Sequence, residues 1–247
     1  MAVDYSGRMA EAYPAGRALS DDVLRMWADA AARHLLAPAG IVADIGAGTG
    51  RFSGALAQRL GRPLVAVEPA AGMREQARRA IAPGVSLIGG RAEAVPARSH
   101  CCALIWMSQS VHHVADLDAC GQELRRVLID GGRVLLRAMF DVRAGWPLAP
   151  YFPGAVEYAE ARFPSLERVV RAFRRAGLEL VTREEFEQTT VRNAEELIRR
   201  TRLRADSTLA SLADDEFEGG LRRLEAAAAG GLLPGPITER LDLVSFA

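Results

Sequence analysis

The run Val42-Ala43-Asp44-Ile45-Gly46-Ala47-Gly48-Thr49-Gly50-Arg51-Phe52 limits what this chain can become more than any other. An apolar stretch from Ile41 to Ile45 ends in glycines at alternate positions, and a helical pattern follows from Phe52. That order predicts a buried parallel strand, a tight turn and the start of a helix. Glycine suits such a turn because the backbone must bend sharply and let a ligand approach with no Cβ in the way. Turns of this kind hold nucleotide-like ligands in doubly wound α/β folds.

Spacing narrows the ligand. A dinucleotide fingerprint, G-x-G-x-x-G, would place its third glycine where Arg51 stands, which argues against a nicotinamide oxidoreductase. The chain has G-x-G-x-G instead, with Asp44 two residues before the first glycine. A pyrophosphate calls for N–H donors at a helix N-terminus. A ligand that lacks phosphate and carries an ammonium group suits a carboxylate. The pattern D-x-G-x-G-x-G resembles motif I of the class I S-adenosylmethionine-dependent methyltransferases.

Further stretches extend the resemblance in order. Leu64 to Val67 reads as a second strand with Glu68 at its end, about where an acidic residue meets a ribose diol. Glu68-Pro69-Ala70-Ala71-Gly72-Met73 is similar to the family's acidic residue, small turn and Met. Gly90-Arg91-Ala92-Glu93-Ala94-Val95-Pro96 resembles the G-D-A-E-x-L-P loop beside adenine, except that Arg91 replaces the Asp. Leu104 to Val114 resembles the fourth strand and its His-His end, and Leu124 to Arg133 the helix and glycine turn that follow. The likeness spans about Val42 to Leu136 and weakens on either side.

The resemblance implies S-adenosylmethionine as cofactor and S-adenosylhomocysteine as product. It implies a cofactor site of Asp44, Gly46, Ala47, Gly48, Gly50, Glu68, Pro69, Met73, Ala92, Glu93 and Ser108. Tyr13 and Arg17 resemble an N-terminal Y-x-x-x-R element, in which Arg17 would hold the methionine carboxylate. It also implies a Rossmann-like α/β fold, a seven-stranded mostly parallel sheet with an antiparallel last strand, helices on both faces and a helical lid. The expected activity is methyl transfer to an O, N or C nucleophile of a small-molecule metabolite, in specialised metabolism. The alternative is a cofactor-binding protein of the same fold with a non-methylating role, as a cyclase, a decarboxylase or a non-catalytic subunit.

Composition sets limits on this reading. At 247 residues the chain can build one sizeable core with a small lid. Its net charge is zero, which disfavours nucleic acid and anionic membrane surfaces as partners. Asp4 and Arg8 interrupt any leader-like apolar segment, and no run reaches the roughly 18 apolar residues of a membrane span. The three cysteines, with Cys101 and Cys102 adjacent, form no disulfide framework. A cytoplasmic monomer or homodimer that uses no metal is expected. All the basic residues are arginine, which reads as coding bias.

Three stretches divide the expected single domain. Residues 1–38 give a loop and a helix from Asp21 to Leu36 that covers the cofactor, capped by Ser20 or Asp21. Residues 39–190 and 236–247 form the core, with a fifth strand from Arg133 to Phe140 and a helix from Ser165 to Ala176. Residues 191–235 form the lid, where one arginine of the Arg199–Arg204 run, weighed through Arg204, either guards an anionic acceptor or belongs to a solvated face.

Methyl transfer from a sulfonium needs alignment, exclusion of water and, for a protonated acceptor, a base. His112 and His113 follow the fourth strand, and an imidazole titrating near ~6.5 can take a proton at neutral pH. Each could equally cap the next helix or pack beneath the cofactor. Tyr13, His112, Phe140, Tyr151 and Phe152 are the candidate substrate contacts, the aromatics being alternatively core.

Overall fold

The computed structural model describes residues 7–247; Asp4 lies outside them. Helices α1 (Arg8–Gly16) and α2 (Asp21–Ala32) lead into β1 (Ile41–Ile45). Then follow α3 (Ser53–Leu60), β2 (Leu64–Val67), α4 (Ala71–Arg78), β3 (Val85–Ile88), β4 (Cys102–Ser108), α5 (Leu117–Val127) and β5 (Leu128–Ala138). Next come α6 (Val142–Gly145), α7 (Pro153–Arg162), α8 (Leu166–Arg175) and β6 (Leu180–Val191). Three helices, α9 (Ala194–Arg202), α10 (Ser207–Ala210) and α11 (Asp214–Ala229), precede β7 (Ile237–Phe246).

The strands make a seven-stranded sheet in the order β3-β2-β1-β4-β5-β7-β6. β1 to β5 are parallel, and β7 runs antiparallel to β5 with Leu136 opposite Val244. The fold is therefore the one expected. β1 and β4 are buried almost throughout, as strands covered on both faces must be, and both are mostly apolar, with Asp44 the one charged residue in β1. Strand order reverses between them, and open α/β sheets bind ligands beside such a switch point, at the carboxyl ends.

Contacts cluster the chain into two units. A sheet unit comprises Ser20–Ala138, Pro164–Glu185 and Asp242–Ala247; a helical unit comprises the residues up to Leu19, Met139–Phe163 and Phe186–Leu241. The sequence reading instead assigned 139–163 to the core. Its apolar side chains explain the difference: Trp146, Phe152 and Val156 are buried with Leu209, Phe217 and Ile237 of the helical unit.

Local starts and stops follow side-chain chemistry. Ser20 accepts from Val23 N and caps α2; Ser165 accepts from Arg168 N and caps α8. Two features depart from the sequence reading. α1 forms where a loop was expected, carrying Tyr13 and Pro14 inside it. β5 starts at Leu128, because a register shift between Cys102↔Leu128 and Leu104↔Arg133 absorbs the Gly131-Gly132 turn. α7 begins on Pro153 at its first turn, a position where proline's missing N–H costs nothing.

The insertion is helical as expected. Arg204 is engaged within it, donating to Asp214 Oδ1 and to Leu212 O at 2.6 Å each and lying over the Phe217 ring. Those bonds give it a structural clamp in place of the guard role weighed from sequence.

Candidate active site

The glycine turn is shaped by what surrounds it. Gly46, Gly48 and Gly50 have φ of 73°, 60° and 76°, values that L side chains adopt at a cost. Gly46 N and Ala47 N donate to Val67 O at 2.8 and 3.1 Å, fastening the turn to the end of β2. A Cβ on Gly46 would sit 2.5 Å from Ser110 Cβ, while one on Gly48 would meet nothing within 4 Å. The first glycine thus lets the end of β4 approach, and the second leaves open space beside bare backbone.

Two carboxylates converge on this turn. Asp44 is 1% exposed and its Oδ2 accepts from Ser53 Oγ at 2.6 Å. Burial lifts its pKa to about 7; the Ser53 hydroxyl opposes the rise and the Glu68 charge adds to it. Glu68, also buried, accepts from Gly48 N through Oε2 and from Ala70 N through Oε1, both at 2.8 Å. Burial raises its pKa too, against those two backbone bonds. Each Glu68 oxygen keeps a further lone pair. Arg74 fixes the following bend by donating to the carbonyls of Glu68 and Pro69, and Met73 is buried.

Beyond β3, Ala92 is buried, Arg91 is exposed and bridges to Ala94, and Glu93 Oε1 accepts from Ala115 N at 2.9 Å. Past β4, Ser108 accepts from Arg137 Nη1 at 3.1 Å, and Ser110 donates to Ile45 O at 3.1 Å. Gln109 adopts φ 52° and donates its N–H to Arg137 O. His112 and His113 lie in a 3-10 turn, Val111–His113, with ring centroids 4.1 Å apart; His112 is half-buried and His113 exposed. Asp116, not a histidine, caps α5, accepting from Asp118 N and Ala119 N.

Sequence reasoning passed over Arg137. It is 1% exposed, with its guanidinium 4.7 Å from the Trp27 ring centroid and 5.0 Å from that of Phe52. Those stacking contacts join α2, the first residue before α3, and the end of β4 through Ser108. The available signal was a lone charge inside the apolar run Val134 to Phe140, since Arg is rarely buried unpaired.

The proposed site residues are thus divided. Asp44 through Ser108 and both histidines belong to the sheet unit, while Tyr13, Arg17, Phe140, Tyr151 and Phe152 belong to the helical unit. Phe152 is buried against Trp146 and Phe217, and Tyr151 gives its carbonyl to Arg223. Tyr13 and Phe140 are half-buried. Arg17 donates to Asp206 Oδ2 at 3.1 Å, with Glu239 Oε1 at 3.9 Å. Among the described residues, no group of three or more His, Cys, Asp or Glu is placed to hold a metal ion, and no helix is long and apolar enough to cross a membrane.

Residues 43–136 match a family model described as a methyltransferase domain. The chain is 31% identical over 148 residues to the malonyl-[acyl-carrier protein] O-methyltransferase of Methylococcus capsulatus, covering 57% of this chain and 53% of that one. It spans about half the length of that curated relative. Among solved structures it resembles a "Putative methyltransferase from antibiotic biosynthesis pathway" of Anabaena variabilis, at 26% identity and TM-score 0.71, over 92% of this chain and 98% of that one. The fold is shared with geranyl diphosphate C-methyltransferase of Streptomyces coelicolor, solved with S-adenosyl-L-homocysteine, at 19% identity and TM-score 0.55 over 89% and 76% of the two chains.

Proposed function

Because this chain belongs to the class I S-adenosylmethionine-dependent methyltransferase family, we propose that it methylates an O, N or C nucleophile of a small-molecule metabolite, in specialised metabolism. The observation that carries this reading is the pair of buried carboxylates at the glycine turn, Glu68 accepting from Gly48 N and Asp44 from Ser53 Oγ. The residues present fit the donor: open space at Gly48, remaining lone pairs on Glu68, and a buried Asp44 beside the turn. When bound, S-adenosylmethionine supplies an electrophilic methyl group on a sulfonium.

The chain's own residues then have separate tasks. Gly46, Ala47, Gly48 and Gly50 shape the wall against which the donor lies. Glu68 accepts from hydroxyls while holding Gly48 in place. Pro69 and Met73 close the bend, and Ala92 and Glu93 border the base. Ser108 sits at the end of β4, oriented by Arg137. His112 is assigned the acceptor's proton and His113 a supporting part. Tyr13, Phe140 and Tyr151 are assigned the acceptor; Arg17, which the family resemblance gives to the donor's carboxylate, is bonded to Asp206, and Phe152 is buried in the core of the helical unit.

Donor binding is checked by thermal unfolding with S-adenosylmethionine, S-adenosylhomocysteine and NAD in parallel. A ligand at about 100 times its Kd adds roughly 2.7 kcal/mol, or about 5 to 10 °C for a chain of this size. Both sulfur ligands are expected to raise the transition and NAD is not. A shift with NAD alone would overturn the family's donor in this chain.

Proton removal is checked with His112→Asn, once a screen of alcohols, amines and activated carbon acids yields S-adenosylhomocysteine. Loss of a general base should lower kcat by about 10²- to 10⁴-fold and leave donor affinity unchanged. An unaltered kcat would remove His112 from the chemistry.

A further inference from the structure

The helical unit has a cavity of its own, about 40 Å³ in volume. That is room for a few water-sized groups. Trp146, Leu148, Val191 and Leu209 give it an apolar wall. Its polar lining is Glu239, Thr190, Arg17, Arg200 and Asp206.

The polar wall is engaged unevenly. Arg200 donates to Ala18 O at 2.6 Å, to Thr190 O at 3.2 Å and to Glu196 Oε1 at 2.6 Å. Arg17 donates to Asp206. Glu239 is 4% exposed; its Oε2 accepts from Gln188 Nε2 at 3.1 Å. Its Oε1 lies 3.9 Å from Arg17 Nη1, an ion pair beyond hydrogen-bond reach. Thr190 Oγ1 is buried and has no hydrogen-bond partner among the described residues.

The cavity lining therefore includes a buried carboxylate, which only accepts, and a threonine whose hydroxyl can do either. Buried polar atoms without partners are uncommon and call for an explanation. A head group that donates would give Thr190 Oγ1 the partner it lacks and add a bond to Glu239. A carboxylate or phosphate would meet the Glu239 charge, with both arginines already holding protein acceptors.

We propose that this cavity binds the amine or hydroxyl head of a small apolar molecule. Glu239 accepts from that head, and the apolar wall takes its carbon chain. The binding claim stands by itself and does not rest on the methyl-transfer reading.

The test uses the full chain and three probes with the same carbon chain: butylamine, butanol and butyrate. Ligand-observed NMR titrations are made on the wild type, Glu239→Gln and Thr190→Val. Butylamine and butanol are expected to bind, with butyrate at least about tenfold weaker, because a charge-assisted bond is lost and like charges meet. Glu239→Gln should weaken butylamine about tenfold and butanol much less; Thr190→Val should weaken both about threefold. Butyrate binding as tightly as butylamine, or no effect from either substitution, would overturn the proposal, as would the failure of every probe to bind. If Glu239→Gln does not fold, Thr190→Val still decides. The wild type is also heated with S-adenosylmethionine: absence of a shift, with probe selectivity intact, counts against methyl transfer and not against the cavity.

Discussion

Gly46→Ala should yield a protein that is badly destabilised and has lost its methyl-donor site. The added Cβ would stand 2.5 Å from Ser110 Cβ, on a backbone at φ 73°. The left-handed conformation costs an L residue about 1–2 kcal/mol. Overpacking against the end of β4 adds about 1–3 kcal/mol more. Ser110 cannot move freely, since its hydroxyl is bonded to Ile45 O. Gly48→Ala is the informative control, because its Cβ meets no protein atom. It should cost only the backbone term and still abolish the thermal shift with S-adenosylmethionine. Equal transition temperatures for Gly46→Ala and the wild type would show that the turn is softer than its contacts imply.

Asp44→Asn should act in the opposite sense on stability. The Asp44 carboxyl has a pKa of 3.8 in the open and about 7 in the fold. Below pH 3.8 both states are protonated and the group has no effect. As pH rises towards 7, the unfolded chain has released this proton and the folded chain still holds it. Each unit then removes up to about 1.4 kcal/mol of stability. Above pH 7 the loss is complete, at about 4 kcal/mol. Glu68, raised by burial as well, pushes in the same direction. Asparagine carries no charge and can still accept from Ser53. The variant is expected to melt at least about 5 °C higher at pH 8, to match the wild type near pH 4, and to bind the donor poorly. Melting curves of both proteins from pH 4 to 9 check this; parallel profiles would refute it. Such an exchange of stability for binding is common where buried acids serve a ligand.

The sheet unit was largely legible in the sequence because local signals and tertiary demands coincide there. Ile41 to Ile45 is mostly apolar since both faces are covered, and Gly46, the first glycine after it, is required by the close approach of Ser110. Asp44 and Glu68 could be picked out for the same reason: each is an acid at the end of an apolar strand. The helical unit was harder to read. α1 contains Pro14, which reads as a breaker, and its partners lie far along the chain. Trp146 and Phe152 carry no sign of whether they face a ligand or one another; the fold places both in a core. Arg137 was invisible for a related reason, because its stacking partners Trp27 and Phe52 come from distant segments.

Arg17 reaches Asp206 across 189 positions of sequence, Arg200 grips Ala18 O, and Gly16 is packed so close to Ala205 that no side chain would fit. During synthesis at about 5–20 residues per second, α1 leaves the ribosome roughly 10 to 40 s before those partners exist. The sheet strands β1 to β5 can pair within that interval, while these partners in α9 and around α10 are still unmade. Birth order in this chain thus runs against assembly order: the first helix made is among the last to find its place.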